Sequence, residues 1–192
     1  MKLLYFHGFG SSSATSTART LREELSEFEV VARDIPVDPA EALPYLKELV
    51  AREQPDFIIG TSMGGMYAQQ MFGYKRIIVN PAFNMSTKST VLTPGTFEFF
   101  NPREDGAKEF TITPEIISHF AEMEAYQFDG ITEWDRDNVW GLFADNDDLV
   151  HCDDTFKEHY KNYMTFHGEH RLNPEVIKGT VIPLIRKIVA KL

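Results

Sequence analysis

Short apolar runs alternate with amphipathic stretches along this chain, the pattern of a mostly parallel sheet with helices on both faces. The runs Lys2–Phe6, Glu29–Arg33, Phe57–Ile59, Arg76–Asn80, Val139–Ala144 and Tyr163–His167 predict six strands. Most are rich in Val, Ile, Leu or Phe, as strands buried on both faces must be. Between them, Ser16–Leu25 and Ala40–Arg52 predict helices; Asp38 is placed to cap the second, Pro39 to fill its first turn, and Pro44 lies early enough to be tolerated. The last segment, Pro174–Leu192, brings Val176, Ile177, Val181, Leu184, Ile185 and Ile188 near one helical face behind the start signal Asn173-Pro174. Pro183 is expected to kink that helix. The expected fold class is α/β, a three-layer α/β/α sandwich around six mostly parallel strands.

The alternation fails between the fourth and fifth runs. Pro81 to Asp137 is far longer than an ordinary connection, so an insertion at about 82–137 is expected inside a single domain, 1–192. Its first half carries Thr93-Pro94-Gly95 and the aromatics Phe97, Phe99, Phe100 and Phe110, too apolar for a solvated linker and a candidate flap. Its second half reads as a helix capped by Thr113, started by Pro114 and striped with Ile116, Ile117, Phe120 and Met123. The plainer reading of that stripe is that it completes the layer over the sheet.

A chain of 192 residues, 43% of them hydrophobic, can bury an ample core, and a formal net charge of -10 argues against nucleic acid or an anionic membrane surface as partner. Cys152 is the single cysteine, so no intrachain disulfide forms and a reducing compartment fits. The apolar N-terminal run is too short for a signal peptide or a span. A cytoplasmic protein acting on a small molecule is the expectation, while the oligomeric state is not set by these features.

Against this background, Gly60-Thr61-Ser62-Met63-Gly64 stands between an apolar strand run and the helical run Met66–Met71. A serine at a strand–turn–helix corner, with small residues two before and two after it, is held clear of the sheet at a helix N-terminus, where developing negative charge is favoured. Its bland alternative is a glycine-rich turn. The first strand ends in His7-Gly8-Phe9-Gly10, a loop able to bring a backbone N–H close to a substrate because Gly8 and Gly10 carry no side chain. With Met63, the residue after the serine, Phe9 is the candidate second donor of an oxyanion hole, and His7 reads as a brace for the loop.

A serine needs a base, and the base needs an acid to hold its tautomer. Of six histidines, His170 lies on the loop after the last strand, on the edge of the sheet where Ser62 emerges; His167 belongs to the strand end, and His119, His151 and His159 lack that placement. The loop after the fifth strand offers Asp145, Asp147 and Asp148, any of which could instead cap the next helix. The chain order serine, aspartate, histidine is that of α/β-hydrolases.

These residues resemble the α/β-hydrolase superfamily over nearly the whole chain. Within it, the strand at the very N-terminus, Asn80-Pro81-Ala82, Asn101-Pro102, Gly106, Phe110 and Gly168-Glu169-His170-Arg171 look like the short bacterial serine esterases of the YqiA type. The resemblance implies carboxylester hydrolysis without metal or organic cofactor, and a trimmed sheet of order 2-1-3-4-5-6. It also selects Asp147, because the acid in that pattern commonly lies three residues before a valine, here Val150. The expected triad is therefore Ser62, Asp147 and His170, acting on a small acyl ester, with Phe83, Phe97 and Phe99 as candidate pocket walls. A thioesterase or acyltransferase would use the same triad, and comparing oxygen and thiol esters of one acyl chain separates them. A binding protein that keeps the fold without turnover is the alternative of another class.

Overall fold

Strand alternation divides the interior into two layers. In β1 (Lys2–Phe6), Leu3 and Tyr5 point to one face and Leu4 and Phe6 to the other, all four buried. The computed structural model describes residues 1–190 and continues this pattern through β2 (Glu29–Ala32), β3 (Phe57–Thr61), β4 (Arg76–Val79), β7 (Val139–Ala144) and β8 (Asn162–Phe166). They form a parallel sheet of order β2-β1-β3-β4-β7-β8, the order expected from the resemblance. One face packs against α1 (Ser16–Glu24) and the C-terminal helical segment through Leu21, Leu25, Ile177 and Ile185. The other packs against α2 (Pro39–Glu53), α3 (Met63–Gln69), α4 (Pro114–Tyr126) and α6 (Asp153–His159) through Leu46, Leu49, Met66, Phe120 and Phe156.

The caps form as the sequence dictates. The Asp38 carboxylate accepts from Ala40 N with Pro39 leading α2, and the Thr113 hydroxyl accepts from Ile116 N ahead of Pro114. The insertion between β4 and β7 holds more order than its loop chemistry suggested. It contains an antiparallel hairpin of β5 (Gly95–Glu98) and β6 (Glu109–Ile112), with Phe97 paired to Phe110, then α4 and a short α5 (Glu133–Asn138) closed by a Thr132/Asp135 capping box. The hairpin pattern is a period-two alternation on either side of a polar loop, too short on each arm to announce itself.

The C-terminal helix departs from expectation in one respect. It runs as α7 (Pro174–Val176), a π turn over Ile177–Val181, and α8 (Ile182–Val189), and the irregularity falls before Pro183. Widening the preceding turn, with Ile182 N–H donating to Ile177 O, relieves the contact a proline ring makes with the carbonyl four residues back. The expected end of this helix at Leu192 lies outside the described residues.

The chain reaches β1, crosses outward to β2 and returns to β3 on the other side of β1. Two adjacent strands thus have connections leaving in opposite directions, which opens a crevice beyond their carboxyl ends. Register pairs Phe6 with Gly60, so the loop after β1 and the turn after β3 emerge side by side.

Candidate active site

The turn after β3 is tight because the two glycines that flank Ser62 have no side chains to accommodate. A Cβ on Gly60 would lie 2.2 Å from Gly64 O, and one on Gly64 would lie 2.1 Å from Phe6 O. Both obstacles are backbone, so only glycine lets α3 cross so close to β1 and β3. Between them Ser62 adopts φ 56° and ψ −121°, a conformation an L-residue holds only when its surroundings over-determine it. They do: Ser62 N–H donates to Val79 O at 2.9 Å, and Ser62 O accepts from Ala82 N at 3.1 Å.

His170 reaches this serine from the loop after β8. Its Nε2 lies 2.9 Å from Ser62 Oγ, and its Nδ1 lies 2.7 Å from Asp147 Oδ2. A carboxylate can only accept, so Nδ1 carries a proton, and in the neutral ring this tautomer turns the Nε2 lone pair to the hydroxyl. Asp147 also accepts at Oδ1 from Leu149 N and Val150 N, 2.9 Å each. Its burial would raise the carboxyl pKa, but His170 and those two N–H groups outweigh it and hold the group below the usual aspartate value, so the residue is ionised at neutral pH. Of the three aspartates in this loop, the structure therefore brings Asp147 to the histidine. Asp145 turns away to His167 Nδ1 (3.0 Å) and Gly168 N (3.1 Å), tying the β7 and β8 loops together, and Asp148 faces solvent. The other histidines stand apart: His119 pairs with Asp38, His159 stacks on Phe128, His167 is exposed and so is His151.

Gly8 lies against Ser62, since a Cβ there would stand 3.4 Å from Ser62 Cβ and 3.9 Å from its Oγ. Gly10 has φ +66°, which a side chain resists. Met63 opens α3, so its N–H has no carbonyl within the helix, and Phe9 N–H has no partner among the described residues. His7 is buried beneath this loop: its Nδ1–H donates to Gly8 O at 2.8 Å and its Nε2 accepts from Ile35 N at 3.0 Å. Burial drives its pKa down to about 4, so the ring is neutral and holds the loop in the manner of a brace.

The candidate pocket residues divide. Phe83 is core, 4% exposed and edge-on to Phe128, whereas Phe97 and Phe99 belong to the β5–β6 hairpin and pack on Phe110 at 5.8 and 4.7 Å. Phe9 meets Phe110 edge-on at 5.3 Å, which joins the hairpin to the loop beside Ser62. A groove of about 410 Å³ between α2 and α4, floored by Phe72, includes none of these residues.

Asn80 had no role in the sequence reading beyond its place in the resemblance. It is 3% exposed with φ 43°; its Nδ2 donates to His170 O at 3.0 Å and to Glu169 O at 3.3 Å, while its Oδ1 accepts from Ala144 N at 2.8 Å. One amide thus fastens the histidine loop to the ends of β4 and β7. The only local signal was an asparagine at a strand end, where left-handed backbone is tolerated. Among the described residues, no three His, Cys, Asp or Glu side chains come together to hold a metal, and no helix is long and apolar enough to cross a membrane.

Comparison with known proteins agrees with this architecture. Residues 2–166 match the family described as "Uncharacterised protein family (UPF0227)". Among solved structures, Est1E from Butyrivibrio proteoclasticus is similar with a TM-score of 0.69 at 15% identity, over 98% of this chain and 88% of that one. A monoacylglycerol lipase of Paleococcus ferrophilus gives 0.66 at 14% identity, over 98% and 94%. One of the metagenome-derived lipolytic enzymes reported as LipS and LipT gives 0.66 at 18% identity, over 100% and 94%. At such identities what is shared is the α/β-hydrolase fold.

Proposed function

The chain belongs to the UPF0227 family, and we propose that it is a serine hydrolase that cleaves carboxylic esters through an acyl-enzyme on Ser62. The observation carrying this reading is the unbroken hydrogen-bond chain Ser62 Oγ, His170 and Asp147, at 2.9 and 2.7 Å. A strained elbow serine, a neutral imidazole with its lone pair toward the hydroxyl, and a buried carboxylate fixing that tautomer are together what nucleophilic acyl transfer needs. The similar structures, a monoacylglycerol lipase and lipolytic enzymes, favour esters over other acyl compounds.

In the proposed cycle, Ser62 Oγ attacks the ester carbonyl as His170 Nε2 takes its proton. The oxyanion accepts from the N–H groups of Phe9 and Met63, a pair whose loss of one member typically costs about 10²–10³-fold in rate. Collapse expels the alcohol, which leaves with the proton from His170. Water then adds to the acyl group, giving its proton to the same nitrogen, and Ser62 departs with it. Asp147 remains ionised throughout and stabilises the transient imidazolium.

Exposure to a fluorophosphonate followed by intact-mass measurement and peptide mapping tests this. One adduct on Ser62, absent in a folded Ser62→Ala variant that has also lost ester turnover, is expected. A folded wild-type protein that neither labels nor turns over short-chain esters overturns the proposal.

A further inference from the structure

The aromatic half of the insertion was a candidate flap, yet the loop of its hairpin is fastened to the loop after β1 almost residue by residue. Gly10 O accepts from Phe100 N at 2.8 Å; Ser11 Oγ accepts from Asn101 Nδ2 at 3.0 Å; Ser12 Oγ donates to Pro102 O at 2.7 Å; Ser13 Oγ meets Glu104 Oε1 at 3.3 Å. Asp34 joins the same pair of segments from below, accepting from Ser13 N at 2.7 Å and Glu104 N at 2.6 Å. Arg103 lies at the centre. Its side chain is 7% exposed, its guanidinium covers the Phe99 ring at 4.4 Å, and it donates to Ser11 O and Ile35 O at 3.4 Å each. Ile35 is also the residue whose N–H is held by His7, so the loop carrying Phe9 is gripped from two sides through the backbone of one residue.

The direct ties between the two loops join residues about ninety positions apart, and they end at the backbone next to the proposed oxyanion donor. A hairpin that swung away as a lid would break all of them and release Gly10 and Ser11. We propose that Phe100–Glu104 is a brace for the loop Phe9–Ser13, with Arg103 as its central positioning residue, so that the insertion serves the reaction by fixing the Phe9 N–H. The functional part of this inference rests on the hydrolase reading above. Arg103 touches no reacting atom. It acts through the Ser11 and Ile35 carbonyls, and its planar fork is suited to two carbonyls at once in a way an ammonium is not.

The test replaces Arg103 by methionine, which keeps much of the packing on Phe99, and compares it with Ile188→Ala, a destabilising change in the opposite layer. On an uncharged short-chain ester, Arg103→Met is expected to lower kcat about 30-fold or more with KM within about threefold, because a displaced oxyanion donor is felt in the transition state. Affinity for a trifluoromethyl ketone, which forms an oxyanion on the serine, should fall by the same factor. Amide exchange at residues 9–13 should accelerate while β3 and β4 stay protected. Ile188→Ala should show none of these per folded molecule. Unchanged kcat and ketone affinity in folded Arg103→Met, or exchange at 9–13 no faster than in wild type, overturns the brace. Should Arg103→Met fail to fold, Ser12→Ala combined with Asn101→Ala cuts two of the same ties and carries the same readouts. A wild type that hydrolyses no ester defeats the proposed function, and exchange at 9–13 then decides the brace by itself.

Discussion

His7 should make the stability of this protein depend on pH in a window where few other groups titrate. The ring is buried, donates to Gly8 O and accepts from Ile35 N; protonation would set an N–H against the Ile35 N–H. Burial, opposed by the Gly8 carbonyl and Asp34 and aided by Arg103, pushes its pKa to about 4, against 6.5 for an ordinary imidazole. Between those values the unfolded chain binds a proton that the folded chain refuses, so unfolding becomes easier as pH falls. The contribution is fully present above pH 6.5, is lost progressively on the way down to 4, and totals about 3.5 kcal/mol at about 1.4 kcal/mol per unit. Near pH 5 the slope should be about 1.2 kcal/mol per pH unit.

One other titration runs the same way, since burial also lowers His159, so only comparison with a His7 variant isolates the His7 share. His119, raised by its bond to Asp38, acts in the opposite direction at a half-buried site. Asp34 and Asp147 are held below 3.8, so their contribution is present above that value and lost only below it. Urea denaturation at half-unit steps from pH 4.5 to 7.5, on wild type and His7→Gln, isolates the term as the difference between two curves. The variant should be less stable at pH 7 by about 1–3 kcal/mol for the orphaned Ile35 N–H and should lose most of the slope below pH 6.5. Curves of equal slope would refute the buried, neutral assignment of His7.

Three further outcomes follow from the geometry. Asp147→Asn should fold normally, because an amide oxygen can still accept from Leu149 N and Val150 N, yet lower kcat about 10³–10⁴-fold by favouring the wrong imidazole tautomer; steady-state ester hydrolysis reads this. Asn80→Asp replaces a donor by an acceptor facing two carbonyl oxygens, so kcat should fall about 10–100-fold with a loss of about 1–3 kcal/mol in stability, and fluorophosphonate labelling should slow in proportion. Gly60→Ala drives a methyl onto the Gly64 carbonyl and should cost about 3 kcal/mol or more, seen as a lower melting temperature and a protein that no longer labels.

The sequence by itself determined what depends on neighbours along the chain. Strands show as apolar runs, α2 and α4 announce themselves by Asp38-Pro39 and Thr113-Pro114, and the elbow is marked by the spacing of Gly60 and Gly64 around Ser62; the caps and the Gly60–Gly64 contact act within a few residues. Even the sheet order followed, through resemblance. Tertiary structure alone decided the rest. Asp145, Asp147 and Asp148 differ little as residues; resemblance singled out Asp147, but it is the turn of the β7 loop that sends it to His170 and Asp145 to His167. The hairpin stayed illegible because each arm is too short to show a period, and Asn80 and Arg103 because their partners lie roughly sixty to ninety residues away, where no local period records a contact. A serine brought within reach of a histidine is a property of packing, and packing is set by the whole chain.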